Sequence, residues 1–501
     1  MYRTTALEGL ARSFEQNASK RLLIVAPSLS EPTENAAQVG HEVSYRDFWR
    51  TAEGMARWLA ERGITPGARL LVQLENSEHT LALYLACAIG GYVACPIDPT
   101  LPKPQIAKIV AAIKPALHIT DAELPSQREA ARLSKGGHGT GTFGTGESDE
   151  DYLIIFSSGS TGEPKGIVHS LRSISESAAS YAELSGTNAD SVVYHHFPMF
   201  YMAGIFNMFF CPVMAGATIV VGPRFSRPQM LRFWQLPIKH HVNSLTLTPT
   251  MAHSLCQLYR RDERILEHLC GYQSLVATGS PLYSSIAERF YNTFHVPLRT
   301  CYGVTEVGGT ITFQSWEDAL AYQSMGGWAK NTEIRAGVEG APKEVLIKTP
   351  FMARGYLIKG EIVKPYDAEG FFHAGDLGYL KDGLLYFSGR EHDLVKKGGE
   401  FVSTQLIEDL ALRNRLVTDV AAVGVPDEFW GARVVLFYVP QRDASEPEIL
   451  PEFEKLFTEG LREIERPDKI IPVPWMPKTS IGKIVKYDLL SKYSLGPRMR
   501  P

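Results

Sequence analysis

Cysteine is scarce in this chain. Six residues (Cys87, Cys95, Cys211, Cys256, Cys270 and Cys301) lie scattered over 501 positions. No Cys-x-x-Cys pair occurs, which argues against zinc and against a disulfide framework. A reducing compartment, the cytoplasm, is the expected setting. Excess charge is lacking too: a net charge of −4 gives no global basic field to recruit nucleic acid. The opening stretch, MYRTTALEGLARSFEQNASK, has no apolar core of the kind a signal peptide needs. No internal repeat is visible, and no appended domain is expected after residue 490. Long apolar runs are nearly absent. The one candidate, YMAGIFNMFFCPVMAGATIVV over residues 201–221, is uncharged and long enough to span a bilayer. Asn207, Pro212 and Gly216 interrupt it, and no basic flank orients it. The pattern predicts a buried helix, a turn at Gly216 and a core strand, with no membrane span.

What remains is a globular composition, 44% hydrophobic and 21% charged. The length predicts two or more units. ARLLVQLEN and GGYVACPID read as buried strands, and SEHTLALYLACAIG between them has helical spacing. Such alternation predicts an α/β fold: a large N-terminal domain with largely parallel sheets flanked by helices. Residues 134–150, SKGGHGTGTFGTGESDE, form a polar glycine-rich loop. Gly139, Gly141 and Gly144 spell G-x-G-x-x-G there, but they follow no strand and open no helix, so a dinucleotide site is not expected. Near residues 380–400 the chain turns charged and turn-rich. Beyond lie the strands DVAAVGVP and ARVVLFYVP and the helical stretch EPEILPEFEKLFTEGLREI, enough for a small α+β domain.

Residues 154–170 read IIFSSGSTGEPKGIVHS. An apolar run ends, and Ser157, Ser158, Gly159, Ser160, Thr161, Gly162, Glu163, Pro164, Lys165 and Gly166 follow at once. This is not a Walker A loop, because Pro164 precedes Lys165 and Gly166 follows it. The chemistry is still that of phosphate binding. Small residues let backbone N–H groups converge on an anion. Hydroxyls add donors and Lys165 adds a point charge. A plain Ser/Gly surface loop is the alternative, and the ordered run directly after a buried strand argues against it.

The wording resembles the signature of the adenylate-forming superfamily, S/T-S-G-S/T-T-G-x-P-K-G. That family comprises the acyl- and aryl-CoA synthetases, peptide-synthetase adenylation domains and firefly luciferase. Four further stretches match in the family's order, so the resemblance covers nearly the whole chain. At YGVTE, residues 302–306, it implies Tyr302 near adenine, Thr305 on phosphate and Glu306 on Mg²⁺, with Cys301 and Gly303 beside the nucleotide. At ATGSPL, residues 277–282, it implies that Thr278, Gly279, Ser280 and Pro281 wall the acyl pocket and cover adenine. HAGDLG, residues 373–378, supplies Asp376 as acceptor of both ribose hydroxyls. GREHDLVKKGGEFV, residues 389–402, supplies Arg390 for ribose or phosphate, and Gly398 and Gly399 along a pantetheine arm. His392 stands at the family's hinge, where Asp or Lys is usual. PKTSIGKIVK, residues 477–486, supplies Lys483, the lysine that bridges carboxylate and α-phosphate. The implied division is a large domain over residues 1–389 and a small mobile domain over 390–501.

The implied reaction starts from a carboxylate, a poor acylating agent because its leaving group is oxide. Attack on the α-phosphate of ATP gives a mixed anhydride with AMP and expels pyrophosphate, and a thiol then displaces AMP. The first step gathers negative charge. Mg²⁺ at Glu306, Lys165 near the distal phosphates and Lys483 at the reacting centre would offset it, with Thr161 in the phosphate loop. The acceptor is the thiol of CoA or of a carrier-protein phosphopantetheine. The expected acyl pocket is Tyr201, Met202, Thr278, Gly279 and Val307. In FPMFYMAG, residues 197–204, Tyr201 replaces the family's usual His. No Asp follows it to pair an α-ammonium, so fatty or aryl acids are expected, fatty ahead. His195 and His196 read as structural residues ending a strand. The alternatives are a stand-alone adenylation enzyme loading an amino acid onto a carrier protein, a non-catalytic nucleotide-binding relative, and a nicotinamide-dependent oxidoreductase resting on the Gly139 pattern. The acid and the oligomeric state are not legible.

Overall fold

The computed structural model describes residues 6–26, 40–125, 149–157, 165–322, 324–390, 393–479 and 482–493. The first apolar runs form strands Arg69–Gln73 and Val93–Pro96, which pair in parallel. Helix Glu78–Gly90 crosses between them. The Ser77 side chain accepts from the Thr80 amide at its start, and Gly91, at φ 69°, ends it. These strands lie in a seven-stranded sheet that turns antiparallel where Asp151–Ser157 meets Lys165–Ser170. A second sheet has thirteen strands. Its centre is parallel: Thr218–Val221, Val192–His195, Ser244–Leu247, Ser274–Ala277 and Arg299–Val304. From Arg299–Val304 onward the pairing is antiparallel, starting with Gly309–Phe313.

Parallel pairing thus holds at the centre of the thirteen-stranded sheet and runs out to one edge, Leu117–Thr120, of the seven-stranded one, and strands joined by short turns pair antiparallel. Chain length is the reason. The connection from Val304 to Gly309 is a single short turn, whereas a parallel crossover needs about a dozen residues. The turn is also tight: a Cβ on Gly303 would lie 1.9 Å from the Gly309 carbonyl oxygen.

The apolar run at 201–221 is interior. It forms helix Met202–Ile205, a π-helical turn Phe206–Phe210 and helix Cys211–Ala215. Gly216, at φ 71°, then turns the chain into strand Thr218–Val221. Ile205, Phe206, Met208, Phe209 and Phe210 are fully buried. Among the described residues no helix is long and apolar enough to cross a membrane.

The C-terminal part starts with hairpin Leu394–Lys397 and Glu400–Ser403. Its turn is Gly398 and Gly399, at φ 57° and 88°. Both φ values suit glycine, and a Cβ on Gly398 would lie 2.8 Å from the Trp430 ring. Helix Thr404–Ala411 follows, then a three-stranded sheet of Val417–Asp427, Gly431–Pro440 and Lys469–Pro472 with helix Glu446–Gly460.

Candidate active site

The candidate site forms where the last central parallel strand ends and meets the antiparallel hairpin beyond it. Tyr302 and Asp376 come from strands Arg299–Val304 and Phe372–Lys381. Tyr302 Oη donates to Asp376 Oδ2 at 2.7 Å. Arg390 Nε donates to Oδ1 of the same carboxylate at 2.8 Å. Asp376 and Arg390 face each other across a hairpin. The Asp376 side chain is only 1% exposed. Burial and the Asp376 carboxylate push the Tyr302 hydroxyl well above its ordinary range. Burial draws the Arg390 pKa down, but the carboxylates of Asp376 and Asp393 outweigh it, so the net shift is upward. Each Asp376 oxygen holds one protein donor and keeps a second acceptor site. A diol is therefore a fitting further partner.

A second group gathers at the strand ends on either side of residues 158–164. Strand Asp151–Ser157 pairs with Lys165–Ser170 so that Ser157 and Lys165 face each other. The Lys165 ammonium lies 5.6 Å from the centre of the Tyr356 ring. Tyr356 Oη donates to Glu306 Oε1 at 2.9 Å. Burial and Glu306 raise the Tyr356 pKa, so the phenol stays a donor. Among the described residues no group of three or more His, Cys, Asp or Glu residues could hold a metal ion by itself. A lone carboxylate beside a phosphate loop fits Mg²⁺, which takes most of its ligands from phosphate oxygens and water.

Lys483 reaches this region from the far end of the sequence. Its turn is closed by Thr479 N–H donating to Lys483 O at 2.8 Å, with Gly482 at φ 84°. Thr250 Oγ1, at the start of helix Pro249–Leu258, donates to Gly482 O at 3.1 Å and pins the turn. Lys483 is exposed. Partial desolvation and the nearby Arg390 guanidinium lower its pKa. An arriving anion relieves that strain on the ammonium. Among the described residues Lys483 forms no ion pair, whereas Lys486 pairs with the buried Glu408 at 2.8 Å.

The whole C-terminal part is docked by polar contacts. Asp409 Oδ1 accepts the Ser285 amide at 2.9 Å, at the start of helix Ser284–Phe294. Arg289 Nη2 donates to Leu412 O at 2.7 Å, and Arg413 pairs with Glu288 at 3.2 Å. Tyr283 Oη donates to Glu408. His253 Nε2 donates to Thr418 O at 2.9 Å.

On the acyl side, a Cβ on Gly279 (φ 88°) would lie 3.9 Å from Tyr201 Oη and 3.9 Å from Thr248 Cγ2. Tyr201 thus faces the loop Thr278–Pro281. Burial raises its pKa, and Arg390 partly offsets this. Met202 packs in the core, its methyl 3.7 Å from where a Gly309 Cβ would stand. Val307 is fully buried in a separate cluster with Tyr302 and Ile311. His195 and His196 are sealed: their Nε2 atoms donate to Gly204 O at 2.9 Å and Thr246 O at 2.8 Å. Burial lowers their pKa values to about 4 and about 3. Ser158, Gly159, Ser160, Thr161, Gly162 and His392 lie outside the described residues. Tyr356, Thr250 and Glu408 carry no motif; they enter the site through strand register and domain docking.

Two sequence models match the chain. The family described as AMP-binding enzyme matches residues 24–357, and the AMP-binding enzyme C-terminal domain matches residues 406–483. The long-chain-fatty-acid–CoA ligase FadD13 of Mycobacterium tuberculosis (strain ATCC 25618 / H37Rv) is 27% identical over 499 residues, 94% of this chain and 96% of that protein. The 2-succinylbenzoate–CoA ligase of Oceanobacillus iheyensis is 24% identical over 473 residues, 90% of this chain and 94% of that protein. Among solved structures, ATP-bound MatB from Rhodopseudomonas palustris superposes with a TM-score of 0.81 at 21% identity, over 98% of this chain and 99% of that one. The fold is therefore the one those proteins share. The chain belongs to the AMP-binding enzyme family: it is an acid–thiol ligase of the adenylate-forming superfamily.

Proposed function

We propose that the protein activates a carboxylic acid lacking an α-amine as its acyl-adenylate and then transfers the acyl group to the thiol of CoA. The observation that carries this reading is the hydrogen-bonded group Tyr302–Asp376–Arg390, with Lys483 near enough for the charges of Arg390 and Asp376 to act on it. In this reading Asp376 accepts from the ribose hydroxyls, and Arg390 orients the Asp376 carboxylate and adds positive charge beside the α-phosphate. Lys483 bridges the acid's carboxylate and the α-phosphate, where negative charge grows as the anhydride forms. Lys165 and the loop Ser158–Gly162, with Thr161, hold the outgoing pyrophosphate. Glu306, oriented by Tyr356, would hold Mg²⁺, whose chemistry is to neutralise phosphate charge. No side chain becomes a covalent nucleophile; catalysis is positioning plus electrostatics. Several curated relatives are named CoA ligases, which supports CoA as acceptor.

The second half-reaction needs room for a thiol where Lys483 stands. We assign the pivot to the segment at His392, between Arg390 on the large sheet and the Leu394–Lys397 hairpin, dividing domains over 1–389 and 390–501. The pantetheine arm then passes Gly398 and Gly399. The reading is tested by mixing enzyme, ATP, Mg²⁺ and a panel of acids with and without CoA. Acid-dependent pyrophosphate release and a CoA thioester are expected. Pyrophosphate release with transfer only to a carrier protein would replace CoA as acceptor. Release driven by α-amino acids alone would overturn the choice of acid.

A further inference from the structure

The segment that carries Lys483 is held at two points. Just before the lysine, Gly482 O accepts from Thr250 Oγ1. Just after it, Lys486 opens helix Lys486–Lys492 and pairs with Glu408 Oε1 at 2.8 Å. Glu408 lies on helix Thr404–Ala411, and its side chain is 5% exposed. The other oxygen, Oε2, accepts from Tyr283 Oη. Both holds therefore end on the part of the chain that precedes Arg390. Thr250 follows strand Ser244–Leu247, Tyr283 follows strand Ser274–Ala277, and these two strands pair in parallel. Two adjacent strand ends thus grip the Lys483 segment, one directly and one through Glu408.

Most partners of Glu408 belong to its own part of the chain. Oε1 also accepts the Ala422 amide at 2.7 Å. Lys486 Nζ donates to Thr404 Oγ1 at 3.4 Å, and Thr404 Oγ1 donates to Asp393 O at 3.0 Å. Lys486, Glu408, Thr404 and Asp393 are therefore one connected group, which moves with Lys483 in the swing proposed above. Tyr283 is the member from the other side. Burial and the Glu408 carboxylate push its pKa well above the ordinary range, so the phenol keeps its proton and donates. The bond it makes joins the two parts and holds only while they are docked. It is a hydrogen bond to a buried carboxylate, the stronger kind.

We propose that Glu408 is a positioning residue for adenylate formation: bound to Lys486 on one side and to Tyr283 on the other, it sets where the Lys483 segment stands over the strand ends. The proposal rests on the acyl-adenylate reading above and deepens it. The pair with Lys486 fixes the segment only within the C-terminal part. Tyr283 adds the coordinate that matters for the reaction, the place of that part against the strands. The alternative is a carboxylate that serves only the fold of the C-terminal part, through Ala422 and Lys486.

Tyr283→Phe separates the two, because it removes only the contact between the parts and leaves Ala422 and Lys486 on the carboxylate. Adenylation, read as acid-dependent pyrophosphate release by the full chain, is expected to slow by about tenfold or more, the usual worth of a hydrogen bond to a charged group. The loss should fall on kcat, with KM for ATP and for the acid little changed. Thioesterification of chemically prepared acyl-AMP should keep its rate. Lys486→Met should also slow adenylation, and the double variant should be no slower than the worse single one, since both cut the same link. Wild-type adenylation in Tyr283→Phe, equal losses in both half-reactions, or single losses that multiply in the double variant overturn the proposal and leave acid activation standing. No acid-dependent pyrophosphate release from the wild-type enzyme overturns both.

Discussion

The two faces of strand Arg299–Val304 meet different surroundings. Tyr302 looks onto charge: a buried carboxylate, a guanidinium across the hairpin, and an ammonium brought from the C-terminal part. Cys301 looks onto the hydroxyls of Thr310 and Thr278, with the Arg299 guanidinium, two residues back on the strand, near enough for its charge to act on the thiol. One backbone separates the two environments. A carboxylate and a guanidinium gather on the Tyr302 side, where the proposed reaction has negative charge to meet.

The strongest way to break this contrast is to remove charge from the first face. Lys483→Ala should slow adenylate formation by about 10²–10³, the usual loss when a donor aimed at developing charge is removed. Thioesterification of chemically prepared acyl-AMP should change little. Equal losses in both half-reactions would show that Lys483 acts through the fold instead.

A change of pH probes the interior, where His195 and His196 are fully buried. Their folded pKa values are depressed to about 4 and about 3, against ~6.5 in an unfolded chain. The unfolded state therefore binds more protons below ~6.5, and the associated stability is full above that pH and lost as pH falls. Each histidine should contribute a slope of about 1.4 kcal/mol per pH unit between ~6.5 and its folded value. Denaturant midpoints from pH 7 to 5 measure it. His196→Gln should flatten the curve, and an unchanged slope would contradict the burial.

Tyr302→Phe sharpens the contrast at smaller scale. It removes one donor from a buried carboxylate that retains Arg390, so about a tenfold loss in adenylation is expected, with KM for ATP affected more than for the acid. A loss confined to the acid would contradict its place beside the nucleotide.

How much of this was written in the sequence differs between the faces for a physical reason. The charged side is carried by contiguous stretches, because phosphate, ribose and metal each need several groups within one turn or strand end. YGVTE, HAGDLG and PKTSIGK are contiguous stretches that resemble the family's motifs, and Tyr302, Asp376 and Lys483 could be named in advance from that resemblance. The antiparallel edges of both sheets were less legible, since the same apolar runs serve either pairing. The Cys301 side is built from single residues on several elements, and Thr310 looks ordinary among its neighbours. Tyr356 is hidden likewise: it meets Glu306 only because Gly355–Ile358 pairs with Lys165–Ser170. No spacing rule reports a tertiary coincidence of that kind.

The smallest predicted effect is at the docking contact. Asp409→Ala should cost about 1 kcal/mol, the typical worth of a helix cap, read from thermal melting. The same variant should weaken adenylation more than thioesterification, because it frees the C-terminal part from helix Ser284–Phe294.

That cap has a use as a gauge. The helix Ser284–Phe294 has no side chain of its own segment to satisfy its first turn; the acceptor comes from Asp409, more than a hundred positions later. A helix start whose partner belongs to another body is intact only while the two bodies touch. Exchange of the Ser285 amide with deuterated water therefore reads the orientation of the C-terminal part directly. It should be slow while Lys483 is in place and fast once the part has swung away. Recorded across the catalytic cycle, one backbone proton would time the switch between the two halves of the reaction without any label attached to the protein.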